Sequence, residues 1–96
     1  MEASLVRTTA EVMVETDLAG IDSHGVSMLM DYERSKSRGK LNLKAKPKLV
    51  RENAVTALVD GDNAMGHVVM TYATQLAIKK AAESGLAWVG TRNGNH

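Results

Sequence analysis

The chain has no cysteine, no phenylalanine, one proline and only three aromatic residues, Tyr32, Tyr72 and Trp88. Without cysteine there is no disulfide framework, no thiolate nucleophile and no cysteine-ligated metal. With so few rings, the core must rest on Leu, Val, Ile, Ala and Met. The six methionines fill space adaptably and specify shape weakly. No apolar run is long enough to span a bilayer, and no secretory hydrophobic segment is present. A cytoplasmic location without a membrane partner is therefore expected. Twelve basic and 11 acidic residues leave a formal charge of +1, too small to draw nucleic acid through a global field. Ninety-six residues support one small domain with a marginal core. Low stability in isolation is expected, with docking against further chain.

What is present reads as a mixed α/β chain, N-terminal helices followed by short strands, with no internal boundary over residues 1–96. Residues 2–19 have helical periodicity, with Val6, Ala10, Met13 and Val14 on one stripe. Gly20 is a C-terminal stop. A second helix is expected over residues 25–38, capped by Asp22 or Ser23, with Val26, Leu29 and Met30 as its apolar face and Gly39 as its end. Residues 40–48 carry four lysines and Pro47 and read as an extended, solvated connection. Residues 49–51 and 54–60 read as two strands joined at Glu52-Asn53. Val55, Ala57 and Val59 fall on one face and Thr56 and Leu58 on the other. Asp60-Gly61-Asp62-Asn63 is a turn cluster. A third helix over residues 66–84, with the stripe Val69, Tyr72, Ala73 and Leu76, is stopped by Gly85, and residues 86–91 form a third strand. The helix between two strands resembles a strand–helix–strand unit, although periodicity alone does not give relative strand direction.

Two polar breaks carry the chemistry. In Asp22-Ser23-His24-Gly25, the His24 imidazole can give and take protons at neutral pH, and Asp22 and Ser23 can orient it or bind a substrate oxygen. The alternative is a capped helix start with a polar loop histidine. Asn93-Gly94-Asn95-His96 follows an apolar strand, the place where α/β proteins collect catalytic groups. The alternative there is a tight Asn-Gly turn. His67, in the first turn of the third helix, reads as a partly exposed helix residue. The three histidines lack metal-ligand spacing, so no metal is expected. Residues 60–63 lack the further ligands of a calcium loop, and neither a phosphate loop nor G-x-G-x-x-G is present. A helical binding module with a basic arm (Arg34, Lys36, Arg38, Lys40, Lys44, Lys46 and Lys48) is the competing reading. The second helix offers little base-reading chemistry on its first turn.

The stretch Asp17-Leu18-Ala19-Gly20-Ile21-Asp22-Ser23-His24-Gly25-Val26 resembles the N-terminal signature of the type-2 malate/L-lactate dehydrogenase family. The similarity continues, in order, through Tyr32, Gly39, Asp60-Gly61, Gly66, Gly85 and residues 89–96. The resemblance implies an oxidoreductase moving hydride between NAD or NADP and a small 2-oxo or 2-hydroxy acid, or a related imine. It also implies a nicotinamide domain that is not a Rossmann fold, a homodimer, and no nucleic-acid partner. Family chains are much longer, so this one is expected to be an N-terminal piece, inactive alone, with most of the cofactor site downstream. By the same resemblance His24 and His96 are the catalytic acid/base candidates and Ser23 is a neighbouring site serine. Asp22 and Asn95, from the two polar breaks, join Ser23 as candidates for contact with substrate. Two positions depart from the pattern. Gly94 stands where much of the family has serine. Met28 stands where many members place an arginine that holds the substrate carboxylate, so another cation must replace it or the substrate differs.

Overall fold

A computed structural model describes residues 2–95; the candidate His96 lies outside the described residues. Helix α1 (Ala3–Leu18) leads into two single 3-10 turns, Asp22–His24 and Val26–Met28, and then helix α2 (Leu29–Ser37). Strands β1 (Lys48–Glu52) and β2 (Thr56–Asp60), helix α3 (Gly66–Ser84) and strand β3 (Trp88–Arg92) follow. The sheet order is β1-β2-β3. β1 pairs antiparallel to β2 through a hairpin with an irregularity between Leu49 and Arg51. β2 and β3 are parallel, with Asp60 opposite Arg92, and α3 is the crossover. This is the mixed α/β arrangement expected, with the strand directions now fixed.

Gly20, Gly39 and Gly85 all sit in the left-handed region and end the three helices, as their positions in the sequence predict. β2 keeps its alternation: Ala57 and Val59 are buried while Thr56 is exposed. Several boundaries move. The second helix starts at Leu29 rather than residue 25, and neither Asp22 nor Ser23 caps it. The late start turns Tyr32 inward, so Val26, Leu29 and Met30 remain exposed instead of forming the buried face. β2 starts at Thr56 because Asn53 Oδ1 accepts from the N–H groups of Val55 and Thr56 at 3.0 and 2.8 Å, extending the turn. β3 starts at Trp88, whose N–H donates to Val55 O at 2.7 Å. On α1 only Met13 of the expected stripe is buried, with Thr9 beside it. The helix packs on α3 and flanks an open groove toward α2, into which Val6 and Ala10 point. On α3, Val68, Val69 and Ala73 are buried and Tyr72 is exposed. Nor is the 40–48 connection fully solvated, since Leu41 and Ala45 enter the core.

The core has two clusters. One joins Met13, Tyr32, Leu41, Met65 and Val68 between the helices. The other joins Ala45, Val59, Ala64, Val69 and Ala73 between α3 and the sheet. Among the described residues, only Val59 and Val69 are large and wholly buried. The radius of gyration is 14.1 Å, against ~12.5 Å for a compact domain of this length. Leu18 and Trp88 are 82% and 77% exposed. This is apolar surface suited to contact with further protein.

α3 is tied to the hairpin by a charge absent from any sequence pattern. Lys80 is buried and donates to Glu52 Oε2 and to the Asn53 carbonyl, both at 2.7 Å. Lys80→Ala is expected to destabilise by about 1–2 kcal/mol, because it strands that carbonyl while leaving half-exposed Glu52 to water. Urea unfolding beside Lys80→Met, which keeps the stem, separates the lost bonds from the lost packing.

Candidate active site

A cleft of about 510 Å³ opens beside the C-terminal end of β3. One wall carries His24, Met28 and Tyr32, the other residues 91–95, and the first turn of α3 brings His67. His24 of the first polar break and Asn93, Gly94 and Asn95 of the second thus face one space.

The His24 wall is built locally. Asp17, near the end of α1, accepts the Val26 N–H through Oδ2 at 3.1 Å. This caps the second 3-10 turn from nine residues upstream. The carboxylate passes so close to Gly25 that any Cβ there would overlap it, so the glycine is needed for the approach. The Ser27 hydroxyl donates to the Asp22 carbonyl and braces the same corner. Ser23 Oγ lies 2.8 Å from His24 Nδ1, so Ser23 engages that ring nitrogen. Asp22 and Ser23 are not among the lining residues. Asp22 contributes its backbone to the turn and Ser23 contributes the orientation of the imidazole.

The opposite wall is held against the turn after β2. The Gly61 N–H donates to Arg92 O and the Asn63 N–H to Asn93 O, both at 2.8 Å, and the Asn95 N–H donates to Ala64 O at 3.1 Å. Asn95 Nδ2 donates to the carbonyls of Asn63 and Lys40 at 2.7 and 3.1 Å. That uses both amide hydrogens on structure and leaves Oδ1 as the group Asn95 can offer a ligand. Asn93 takes a left-handed conformation, φ 55°, which asparagine tolerates better than most residues.

Asp60 is the hub of this wall. Its Oδ1 accepts the Asp62 N–H at 2.9 Å and Asn93 Nδ2 at 3.3 Å, and its Oδ2 pairs with Arg92 Nε at 3.3 Å. These partners, the Asp62 N–H first and the Asn93 amide next, hold the carboxyl below its ordinary value. The folded state thus favours the charged form. The contribution of the hub is complete above the ordinary carboxylate range and is lost as pH falls through the lowered folded value. The stability difference between full-length wild type and Asp60→Asn is accordingly expected to be present at neutral pH. It should begin to shrink as pH falls below about 4 and vanish only beneath the lowered folded value, as read by urea unfolding across pH.

Tyr32 is buried, with its ring edge-on to His67 at 5.5 Å and 82°. Burial, and secondarily the charge of Asp31, push its phenol up, so it is a neutral donor at physiological pH. His67 is partly buried, as its place on α3 suggests, but it lines the cleft. Sequence reasoning gave Tyr32, His67 and Arg92 no role in the cleft. For Arg92 a signal existed, its position at the end of an apolar strand; for Tyr32 and His67 no pattern marks the contact. Among the described residues, no group of three or more His, Cys, Asp or Glu is placed to hold a metal ion. No described helix is long and apolar enough to cross a membrane.

The malate/L-lactate dehydrogenase family matches residues 1–96. The chain is 43% identical over 90 residues to L-sulfolactate dehydrogenase of Methanocaldococcus jannaschii, covering 94% of the chain and 26% of that protein. It is 40% identical over 95 residues to hydroxycarboxylate dehydrogenase B of Escherichia coli, covering 99% and 26%. Malate dehydrogenase of Pyrococcus horikoshii superposes with a TM-score of 0.92 at 38% identity, over 100% of this chain and 28% of that one. The chain belongs to the malate/L-lactate dehydrogenase family. It spans about a quarter of the length of the curated relatives it matches.

Proposed function

We propose that this chain forms the acid/base wall of a cytoplasmic, homodimeric, NAD- or NADP-dependent dehydrogenase of full family length, acting on a small 2-oxo or 2-hydroxy acid. The observation that carries the reading is the placing of His24, with Ser23 on its Nδ1, across one cleft from Arg92 and Asn95. Relatives named for malate, sulfolactate and hydroxycarboxylate dehydrogenation support the same reaction class. Exposed Leu18 and Trp88 support contact with the rest of the protein or with a second subunit.

The residues present fit the reacting end of such a site. Apolar Val12, Met28 and Met70 provide a dry wall, and a few polar groups converge on the cleft. No glycine-rich phosphate loop accompanies them. When bound, the reduced nicotinamide supplies a hydride to C2 of the oxo acid. His24 donates a proton from Nε2 to the oxygen that gains charge, and withdraws it in the reverse direction. Ser23, on Nδ1, holds the ring in its tautomer. Tyr32, kept protonated, can donate to the same oxygen, while Asn95 Oδ1 can accept from a substrate hydroxyl. His96 remains the second acid/base candidate by resemblance. The test is an assay of the full-length protein for oxidation of NADH and NADPH with a panel of 2-oxo acids and cyclic imines. Turnover with an oxo acid is the expected result. Absence of turnover with every pair would end the dehydrogenase reading.

A further inference from the structure

Resting on that reading, we infer that Arg92 anchors the carboxylate of the 2-oxo acid from the wall opposite His24. An acid needs a cation or a dense set of donors when it enters a partly apolar cleft. Among the described residues lining this cleft Arg92 is the sole lysine or arginine, and no aspartate or glutamate lines it. Position 28, on the His24 wall, is methionine and offers no charge.

Arg92 is also mounted for the task. It is the last residue of β3, opposite Asp60 in register, and its carbonyl is held by the Gly61 N–H at 2.8 Å. Its Nε faces Asp60 Oδ2 at 3.3 Å. Nη1 and Nη2 make no hydrogen bond to other described residues. A guanidinium steadied through Nε can still present its terminal nitrogens as a fork to a carboxylate. Its side chain is about half exposed and Asp60 is more enclosed, so the charge stands at the rim with its counter-charge behind it. Asp60 is in this arrangement a positioning residue.

The substrate then lies across the cleft, its carboxylate toward β3 and its C2 oxygen toward His24. The apolar side chains of Met28 and Met70 are left for the remainder of the molecule.

The experiment uses the full-length protein, pyruvate as substrate and oxamate as an unreactive carboxylate probe. KM, kcat and oxamate affinity in saturating NADH or NADPH are measured for wild type, Arg92→Gln, Arg92→Lys, Asp60→Asn and Arg92→Gln/Met28→Arg. Loss of charged hydrogen bonds predicts a rise in pyruvate KM and oxamate Kd of about 10- to 100-fold in Arg92→Gln. Arg92→Lys is expected to fall between, since it keeps the charge but not the fork. A smaller fall in kcat and recovery of affinity in the Met28→Arg double variant complete the expected pattern. Asp60→Asn, which loosens the guanidinium without removing it, is expected to show a smaller rise. A merely structural role for Arg92 would show as a loss that neither Arg92→Lys nor the new cation restores; that pattern overturns the anchor. So does an Arg92→Gln enzyme whose KM and Kd stay within twofold of wild type. Arg92-dependent oxamate binding without turnover of pyruvate or of any other acid of the panel would keep the anchor and sink the dehydrogenase reading, whereas neither binding nor turnover with any of them would remove both.

Discussion

His24→Ala is expected to lower kcat of the full-length protein by about 10²- to 10⁴-fold, the usual worth of a positioned general acid or base. His24 is exposed and outside both core clusters, so the unfolding midpoint should barely move. Loss of rate with stability intact would separate a proton-transfer role from a packing role. The Ser23 contact sharpens the test. Ser23→Ala removes the partner of Nδ1 and should cost less than loss of the ring, because the imidazole then samples other orientations and tautomers. A limb of the pH–rate profile that is present in wild type and absent in His24→Ala would complete the assignment. Nearly full turnover in His24→Ala would take His24 out of the reaction.

Gly61→Ala is expected to destabilise the fold strongly. A Cβ at this position would sit 2.6 Å from Val69 Cγ2 and 2.7 Å from the Asn93 carbonyl oxygen. Val69 is one of the two wholly buried large side chains, and the carbonyl is backbone already bonded to the Asn63 N–H. Neither can yield without disturbing the α3–sheet core or the loop that carries Asn95. Overpacking of this kind costs about 1–3 kcal/mol, a large share of a marginal stability. Urea unfolding of the full-length protein gives the cost. Because the strained side is the active-site loop, activity should fall at temperatures where the variant is still folded. A variant of unchanged midpoint and activity would mean that the turn relaxes away from Val69.

The parts of this fold that were legible in the sequence are those decided locally. Glycines at 20, 39 and 85 end helices because a left-handed residue is needed there. Alternation sets the inward face of β2 because side chains on a strand point to opposite sides. The parts that were not legible depend on approach between distant segments. Asp17 caps a turn nine residues away, which displaces the expected Asp22 or Ser23 cap and delays α2. Asp60 meets Arg92 and Asn93 across 32 and 33 positions, and only the parallel register of β2 and β3 brings them level. A lysine in a helix normally reads as solvated surface, yet Lys80 is buried because the hairpin turn supplies a carboxylate and a carbonyl. For the site, both polar breaks were visible as interruptions of periodicity. That Tyr32 and Arg92 share a cleft with His24 required the α1–α3 crossing to be known.

The two walls of the cleft have different foundations. The Arg92–Asn95 wall continues the sheet and is pinned by backbone bonds to the turn after β2. The His24 corner touches α1 and α2, and α1 reaches the rest of the chain by crossing α3. The cluster filling that crossing contains Met13 and Met65, with Met28 packed beside it. Thioether side chains change rotamer at little cost, whereas hydrogen-bonded strands do not slide. The gap between His24 and Arg92 is therefore set by a cushion on one side and a beam on the other. Were a ligand to widen the cleft, the histidine side would give while the arginine side kept its place.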